Sequence, residues 1–473
     1  MKKIIGMCGK IGGNERQSLP CFRMSFIVFF RVFVILSFSI FLFPMSAQCS
    51  NLKSDVGAVI SRSSIHKGSI AVSVKDFSNG KTVYELNSKM PIPPASIQKI
   101  TTFVPAYLTL GSDYAFSTKI YKNRDNEYIL VLGADPYLTS KDLDKLIKSI
   151  SKEQNGIFID DSVIDQNEWG EGWQWDDDLN PLMPKFSAYN IDKNLLEIVI
   201  SPTVNGFPAE ITMDVSYPIT FKNNIITSKE TQYTMLRQNH ISPDVINMDG
   251  TIKYNKSDIR KITVNNPQKY FKLRMSNSII NHGISSSGIY KFKKAGKKCT
   301  LITQISHSIE TAKTDILKNS DNLVSETVFK LAGGKYSNQT GSFENGLKMF
   351  NDFCKKQKLD ISHIHLADAS GVSKNNLMTA DFMTEFLKKN AEYVELELPT
   401  AGEGTLSNRM LYLKNILHAK TGTLSNLSSI AGYITSKTNH KYVFCIMINN
   451  SKSTESDKKV LEEYIIRTLY TKG

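Results

Sequence analysis

The sequence predicts a mixed α/β (α+β) protein in which a β-rich region is inserted into a domain built from both ends of the chain. Three observations support this prediction. A hairpin pattern and a helix pattern stand near the start, short β-rich segments fill the middle, and strands followed by a helix stand at the end. The hairpin, helices and strands at the two ends of the chain are therefore expected to form one outer domain.

The first elements are a hairpin and a helix. Residues 69–86, SIAVSVKDFSNGKTVYEL, alternate apolar and polar side chains on both sides of Asn79-Gly80, which is typical of a β-hairpin. After PIPPAS, apolar residues at helical spacing predict a helix over residues 97–110 that stops at Gly111. Pro105 is expected to kink or end this helix about two turns in, because proline has no backbone N–H to donate.

The middle and the end of the chain differ in texture. EYILVLG (127–133) and GIFIDDSVI (156–164) predict strands, and the amphipathic segment between them predicts a helix. From about residue 194 to 270, short segments joined by Asn, Pro and Gly turns predict a separate β-rich insertion. Helical patterns return near residue 311. LSSIAGYITS and KYVFCIMINN then predict adjacent buried strands, and residues 456–470 predict a closing helix.

The N-terminus predicts a secretory signal peptide over residues 1–47. Arg23 and Arg31 precede VFVILSFSIFLF (32–43), and small residues follow it. The apolar run is too short to span a bilayer as a helix. We therefore expect export to the periplasm, with membrane contact only through this segment if it stays uncleaved.

Charge and cysteine content narrow the class of protein. The chain carries a net charge of +13, but residues 1–47 hold six Lys and Arg and one Glu, so the mature chain carries about +8. No compact basic tract with interleaved aromatic residues is present, so nucleic acid is not an expected partner. Cys299, Cys354 and Cys445 remain after export. Their number and wide spacing fit neither a disulfide framework nor a zinc site. Two alternatives stay open: one disulfide bridge, or three reduced thiols.

Ser96 lies three residues before Lys99, where the predicted helix begins. The same S-x-x-K spacing recurs at Ser50, Ser78, Ser149 and Ser456. The spacing alone therefore also fits a solvated surface pair. Two further motifs follow downstream: Ser320-Asp321-Asn322, and Lys420-Thr421-Gly422-Thr423, whose K-T-G triplet occurs once in the chain. The three motifs in this order, in an exported chain, indicate a serine nucleophile activated by a lysine.

The residue types fit that chemistry. Serine is a weak nucleophile until a base removes its proton. Residues i and i+3 share a helix face, so Lys99 can reach the Ser96 hydroxyl. The base must be uncharged, and burial and a nearby cation such as Lys420 both lower the pKa of a lysine. Ser320 is expected to relay a proton to the leaving amine, and Asn322 to orient Lys99 or the substrate amide.

The K-T-G segment predicts the substrate-binding strand. Lys420 is expected on a strand beside the small Gly422, where a substrate backbone can lie against it, and its charge suits a terminal carboxylate. The backbone N–H groups of Ser96 and Thr423 are expected to form the oxyanion hole, a large electrostatic contribution to catalysis.

With these motifs, the chain resembles the penicillin-binding protein 4 type D-alanyl-D-alanine carboxypeptidases/endopeptidases, the S13 group of serine peptidases. The resemblance runs from about residue 69 to the C-terminus. Its blocks, in family order, include GADPYLTSKDL, GIFIDDSVID, GWQWDDD, FSAYNIDKN, ILKNSDNLVSETVFK, LADASGVSKNN and AGEGTLSNRM. It implies hydrolysis of peptidoglycan stem peptides and cross-links through a Ser96 acyl-enzyme, covalent binding of β-lactam antibiotics, and no cofactor or metal.

The resemblance also implies a domain division. A penicillin-binding-protein/β-lactamase-like transpeptidase domain, with an antiparallel sheet flanked by helices, would comprise residues 51–118 and 298–473. Nested within it, an inserted domain II would comprise residues 119–200 and 275–297, and a β-rich domain III residues 201–274.

A substrate pocket is implied in the same way. Asp177 is expected to meet the free ammonium of a diaminopimelyl side chain, Phe186 to lie against its stem, and Lys374 to meet its carboxylate. Arginine is usual at the position of Lys374, and lysine does not give the same bidentate pairing. The three tryptophans Trp169, Trp173 and Trp175 equally fit an aromatic interdomain core beside a solvated acidic turn.

Other functions are weighed against this one. A β-lactamase shares the chemistry, but 224 residues separate Ser96 from Ser320, and compact β-lactamases leave no such gap. A non-catalytic penicillin-binding or scaffolding protein would keep the fold and lose turnover, and an envelope-binding module is a third alternative. His363-x-His365 resembles a metal pair without a third ligand, so no metal site is predicted. A homodimer, and the balance between carboxypeptidase and endopeptidase action, stay open.

Overall fold

The computed structural model describes residues 51–213, 215, 217–237, 242–285 and 291–473 of the protein. The predicted signal peptide lies outside the described residues. The helices are α1 Leu52–Arg62, α2 Gln98–Leu110, α3 Ser140–Ile147, α4 Pro267–Asn281, α5 Ile309–Leu317, α6 Asn322–Ser337, α7 Phe343–Lys356, α8 Ala380–Lys389, α9 Ala391–Val394 and α10 Glu455–Lys472. The strands are β1 Ile70–Asp76, β2 Thr82–Leu86, β3 Ala115–Lys122, β4 Glu127–Val131, β5 Gly156–Asp160, β6 Leu195–Ser201, β7 Glu210–Met213, β8 Thr220–Ser228, β9 Gln232–Arg237, β10 Val245–Lys253, β11 Asp258–Thr263, β12 Thr300–Ser308, β13 Leu417–Leu424, β14 Leu427–Thr435 and β15 Lys441–Ile448.

The central sheet has five antiparallel strands in the order β13-β14-β15-β1-β2. The predicted hairpin is confirmed as β1 and β2, and the predicted adjacent strands near the end are β14 and β15. Because β1 pairs with β15, in a register that places Ile70 opposite Ile448, one sheet contains strands from both ends of the chain.

Both faces of this sheet are buried. Along β15, Phe444 and Ile446 pack in a core with apolar side chains of α1 and α10. The alternate residues Val443 and Cys445 pack in a second core with side chains of α2, α6, α7 and α8. A strand covered on both faces carries apolar residues at successive positions, which explains why KYVFCIMI lacks polar alternation.

Helix α2 forms the floor beneath the predicted nucleophile. It continues through Pro105 to Leu110 and ends at Gly111, which adopts a left-handed φ of 87°. Helix α2 therefore does not end at Pro105, and the alternative expectation, a kink at Pro105, stays a prediction. Pro105 is buried in the core, and this packing offsets the roughly 3 kcal/mol that an interior proline costs a helix.

The middle of the chain forms three further sheets. Strands β6 to β11 make two three-stranded sheets, ordered β11-β6-β7 and β8-β10-β9, which confirms the β-rich texture of the insertion. A four-stranded sheet, β12-β3-β4-β5, joins segments that the prediction assigns to different domains. Strand β3 crosses the predicted boundary at 118/119, and β12, which pairs with β3, follows the predicted boundary at 297/298. The division into three domains stays a prediction.

The cysteines of the described chain are thiols. Cys354 and Cys445 are buried, Cys299 is partly exposed, and none of the three forms a disulfide. Burial raises the pKa of Cys354 to about 12, so its thiol stays protonated and inert at neutral pH. Within the ranges that the structure describes, no helix is both long and apolar enough to cross a bilayer.

Candidate active site

Ser96 lies on a single 3₁₀ turn, Ala95–Ile97, that leads directly into α2. Ala95 adopts a left-handed φ of 52°, an unfavourable conformation for a residue with a Cβ. Gly371 packs closely against this turn, since a Cβ there would lie 2.1 Å from the carbonyl oxygen of Ala95. Only glycine permits that approach, so the loop around Gly371 fixes the turn that carries Ser96.

Lys99 has no exposed surface and makes three polar contacts. Its Nζ lies 3.0 Å from Ser96 Oγ, 2.6 Å from Asn322 Oδ1 and 2.7 Å from the carbonyl oxygen of Ser370. The helical spacing thus brings the amine to the hydroxyl, as the sequence predicts. The two other acceptors hold the amine in place at the floor of the site.

Burial lowers the pKa of Lys99 to about 8, while the nearby acids Asp368, Glu326 and Asp321 act in the opposite direction. The charges of Lys99 and Lys420 act on each other, and the pKa of Lys420 is lowered well below the ordinary value, first by burial and then by the charge of Lys99. Burial is the largest cause that favours an uncharged Lys99, and the effect of Lys420 on this base stays a prediction.

The rate of acylation at Ser96 is expected to rise with pH. The uncharged amine is the form that accepts a proton, and its fraction increases as the pH approaches the Lys99 pKa of about 8. Between pH 6 and pH 7 the rate with a labelled penicillin should rise about tenfold, and it should level off above about pH 9. Stopped-flow acylation rates across this range test the expectation, and a flat profile would contradict it.

Asn322 and Ser320 come from the N-terminal end of α6. Asp321 caps this helix by accepting the backbone N–H of Val324 at 3.0 Å, which turns the next side chain towards Lys99. Asn322 Nδ2 donates to the carbonyl of Leu182 at 2.8 Å, so the Oδ1 atom faces Lys99. Of the two predicted roles of Asn322, the geometry fits the orientation of Lys99.

Ser320 is placed apart from the Ser96–Lys99 pair. Its φ is 64°, and it lines the cavity above Ser96. Within the described part of the chain, its hydroxyl makes no hydrogen bond to Ser96 or to Lys99. A proton relay through Ser320 therefore needs the substrate in place.

Strand β13 lies against the nucleophile turn. A Cβ at Gly422 would lie 2.8 Å from the backbone nitrogen of Ser96, so this strand also needs glycine at the point of contact. Ser429 on β14 donates to the carbonyl of Pro94 at 2.7 Å and fixes the turn from behind. Lys420 is fully buried on β13 and donates to the carbonyl of Thr421 at 3.0 Å.

A cavity of about 590 Å³ opens above Ser96. The predicted site residues that line it are Ser96, Asp177, Ser320, Asn322, Lys374, Thr421, Gly422 and Thr423. Asp177 accepts a hydrogen bond from the backbone of Gln174 at 3.2 Å. Burial raises the pKa of Asp177, and the charge of Lys374 opposes that rise. A partly buried carboxylate and an exposed lysine thus share one wall of the cavity.

Phe186 does not line this cavity, which corrects the expectation that it lies against a substrate stem. Its side chain is 2% exposed and packs edge-on against Trp173, with 5.7 Å between the ring centroids. The two rings form a small core with Met183, Leu323 and Val372. Those three residues line the cavity, whereas Trp173 and Phe186 do not. Phe186 therefore supports the wall from behind.

The tryptophans divide between two environments. Trp173 is buried, and Trp169 packs edge-on against it with 4.9 Å between ring centroids. Trp175 is 62% exposed, on the 3₁₀ turn Trp175–Asp177. The core interpretation holds for the first two residues and not for the third.

Two buried acids that the sequence did not single out shape the site. Glu326 accepts the backbone N–H groups of Ala369 and Ser370 at 3.0 and 2.8 Å, and so fixes the carbonyl that accepts from Lys99. Burial raises the pKa of Glu326 to about 7. A signal was available: Glu326 follows Asn322 by four residues, on the same face of α6.

Asp368, which belongs to the same loop, holds it together by internal hydrogen bonds. Its carboxylate accepts from the backbone N–H of Gly371 at 2.7 Å, from Ser373 N–H at 2.6 Å and from Trp173 Nε1 at 2.8 Å. Asn376 Nδ2 and Gln98 Nε2 also donate to it, at 2.8 and 3.2 Å, so five donors satisfy a buried charge that would otherwise be costly. The block LADASGVSKNN contains this acid, but sequence reasoning assigned a role to Lys374 alone.

The two histidines of the His363-x-His365 motif lie in different surroundings. His365 pairs with Leu377 through its backbone, and His363 lines a separate polar cavity of about 410 Å³. Among the residues that the structure describes, no group of three or more His, Cys, Asp and Glu is arranged to hold a metal ion.

Comparison with known proteins decides the family. Residues 52–468 match the model of the D-Ala-D-Ala carboxypeptidase 3 (S13) family. The chain belongs to this family of serine peptidases. The S13 peptidase is 25% identical to the D-alanyl-D-alanine carboxypeptidase DacB of Haemophilus influenzae over 434 residues, 84% of this chain and 89% of that protein. It is 22% identical to a D-alanyl-D-alanine carboxypeptidase of Actinomadura over 426 residues, 82% and 79% of the two chains.

Solved structures confirm the predicted fold class. The S13 peptidase superposes on the crystal structure of penicillin binding protein 4 from Haemophilus influenzae with a TM-score of 0.78 and 23% identity, covering 88% of this chain and 99% of that one. The antiparallel sheet flanked by helices, with its inserted β-rich sheets, is thus a penicillin-binding-protein fold. The family match makes the S13 peptidase an enzyme of the D-Ala-D-Ala carboxypeptidase class.

Proposed function

We propose that the protein is a serine D-Ala-D-Ala carboxypeptidase and endopeptidase. It hydrolyses peptidoglycan stem peptides and their cross-links through an acyl-enzyme at Ser96, and it binds penicillin covalently at the same residue. The family match and the named D-alanyl-D-alanine carboxypeptidases support the substrate class.

One observation carries the proposal. A fully buried lysine amine lies 3.0 Å from the hydroxyl of Ser96, and the hydroxyl borders a cavity large enough for a peptide end. A buried amine with a lowered pKa next to a serine hydroxyl is the arrangement of a base and its nucleophile. A surface Ser-Lys pair would have neither the burial nor the two fixed acceptors.

The chemistry follows from these positions. Lys99 Nζ takes the proton of Ser96 Oγ as the oxygen attacks the carbonyl carbon of the penultimate D-Ala. The backbone N–H groups of Ser96 and Thr423 stabilise the negative oxygen of the tetrahedral intermediate. The C–N bond then breaks, the terminal D-Ala leaves as an amine that has gained a proton, and water hydrolyses the remaining ester.

Lys420 and Ser320 act on the leaving side. A terminal carboxylate near Lys420 would favour the charged form of this buried amine, which its surroundings otherwise disfavour. Ser320 lines the same cavity and would pass a proton to the departing nitrogen once the substrate is bound. Penicillin carries a carboxylate as well, but its leaving group stays attached, so the ester persists.

Defined muropeptides test the proposal by mass spectrometry. Loss of one D-Ala indicates carboxypeptidase action, and splitting of a cross-linked dimer indicates endopeptidase action. A protein acylated by penicillin that leaves every muropeptide intact would be a non-catalytic scaffold. Rapid release of hydrolysed penicillin with intact muropeptides would indicate a β-lactamase. Ser96→Ala serves as the control for each product.

We also propose a periplasmic location, motivated by the predicted signal peptide over residues 1–47. The mature protein should begin near Gln48 or Ser50 and appear in the soluble periplasmic fraction of the cells that make it. N-terminal sequencing of the protein from that fraction tests this. A protein that begins at Met1 or Met24 and is found in a membrane fraction would indicate instead that the signal peptide stays uncleaved and anchors the protein.

A further inference from the structure

The bonds within the segment that carries Asp177 join residues two or three positions apart. Residues 174–183 consist of one 3₁₀ turn followed by tight turns, in which Asn180 N–H donates to the carbonyl of Asp177 at 2.9 Å and Met183 N–H to that of Asn180 at 2.8 Å. Turn bonds of this kind shape the segment itself but leave its position against the cavity to its contacts with neighbouring elements. The bond from the Gln174 backbone to Asp177 Oδ2 directs this side chain within the segment, so the neighbouring elements set where the carboxylate lies at the cavity wall.

Arg237, the last residue of β9, reaches this segment from the β-rich insertion. Its Nε lies 2.8 Å from Asp178 Oδ2, and its side chain is 4% exposed. Nη1 donates to the carbonyl of Pro243 at 2.6 Å, and Nη2 donates to that of Thr263 at 2.7 Å. These two bonds lock the planar guanidinium within the β-rich insertion, where its charge pairs with Asp178 without an aligned hydrogen bond from Nε.

Thr263 adds a second contact at the same residue. It ends β11, and its hydroxyl donates to the backbone carbonyl of Asp178. Asp178 is thus held by its carboxylate and by its main chain, one residue after Asp177. We call Arg237, Thr263 and Asp178 the clamp.

The other end of the segment is tied to the catalytic residues. The carbonyl of Leu182 accepts from Asn322, which also accepts from Lys99 at 2.6 Å. Lys99 is also held by the carbonyl of Ser370, and the Ser96 turn is held by Ser429. Loosening the clamp should therefore move the wall that bears Asp177 more than it moves the nucleophile.

We propose that Arg237 is a positioning residue for substrate selection: its ion pair with Asp178 fixes Asp177 at the cavity wall. The β-rich insertion thereby sets selectivity for a substrate side chain that carries an ammonium group. This inference rests on the proposed function and on the contact of Asp177 with that ammonium, which the resemblance to the S13 peptidases implies.

Two substitutions in the full chain test the clamp. Arg237→Lys keeps the charge but loses the guanidinium that bonds two carbonyl groups while it pairs with Asp178. Asp178→Asn removes the ion pair with little change of shape. Each should lower kcat/KM for a diaminopimelyl muropeptide by on the order of ten- to a hundred-fold, as expected for a displaced binding group. Acylation by a simple penicillin, which has no such ammonium, should stay close to wild type.

The matched control is Arg260→Gln. Arg260 also lies in the β-rich insertion and pairs with Asp258 at 2.8 Å, but its side chain is half exposed and it does not contact the segment. It should leave both rates unchanged.

A second measurement separates positioning from a general structural role. If Arg237 acts through Asp177, then Arg237→Lys in an Asp177→Asn background should cause no further loss towards the muropeptide. Amide hydrogen exchange of residues 174–180 should also be faster in the clamp variants than in wild type or Arg260→Gln.

A parallel fall of both rates, additive losses in the double variant, or unchanged exchange over residues 174–180 would each overturn the inference. A wild-type protein that penicillin does not acylate at Ser96 would instead overturn the proposed function, whatever the exchange data show.

Discussion

Replacing Lys99 by alanine is expected to slow the acylation of Ser96 by penicillin by on the order of 10²- to 10⁴-fold, the usual contribution of a general base. The amine lies 3.0 Å from the hydroxyl and is held by Asn322 and the carbonyl of Ser370. Without it, no other basic side chain among the described residues contacts the Ser96 hydroxyl. A labelled penicillin and rapid quenching give the rate, and peptide mapping gives the acylated residue.

Lys99→Arg separates basicity from charge. Arginine keeps a positive charge at this position but stays protonated at all accessible pH values. It should therefore be impaired as strongly as alanine if Lys99 acts as the base. If Lys99 only provides charge, Arg should retain much of the rate.

The chain offers a matched control in its own sequence. Ser78 and Lys81 repeat the S-x-x-K spacing on the exposed hairpin turn between β1 and β2. Penicillin should therefore acylate Ser96 of the Lys81→Ala variant at the wild-type rate. Near-normal acylation in Lys99→Ala would show that another group takes the proton. If peptide mapping finds the penicillin label on a serine other than Ser96, the assignment of Ser96 as the nucleophile is wrong.

Sequence patterns predicted the parts of the fold that depend on local chemistry. The Asn79-Gly80 turn has its own backbone preference, and the apolar runs of β14 and β15 follow from burial on both faces. The Ser96–Lys99 contact is also local, because one helical turn joins the two residues. These features need no knowledge of which distant segments meet.

The features that were missed depend on distant contacts. Pro105 stays helical because the surrounding core packs against it. Phe186 faces a core rather than the cavity because Trp173 lies beside it. Glu326 and Asp368 act through a loop whose position no sequence pattern gives. The Arg237–Asp178 pair joins residues 59 positions apart, across elements that are separate in sequence.

Asp177→Asn is expected to lower kcat/KM for diaminopimelyl muropeptides by on the order of ten- to a thousand-fold, because the substrate ammonium would lose a partly buried partner. Burial raises the pKa of Asp177, so its carboxylate is less well solvated than a surface acid and gains more from pairing with a cation. Acylation by a simple penicillin should change little, since that ligand carries no ammonium at this position.

Asp176→Asn provides the control for this substitution. Asp176 is the exposed neighbour on the same 3₁₀ turn and does not line the cavity, so its replacement removes the same charge without touching the pocket. If Asp177 belongs only to a solvated acidic turn, the two variants should behave alike towards both ligands. If both ligands react more slowly in Asp177→Asn alone, the substitution has disturbed the segment that also contacts Asn322, and the ammonium contact has to be withdrawn. A loss confined to the muropeptide and to Asp177→Asn is the outcome that a direct charge pair requires.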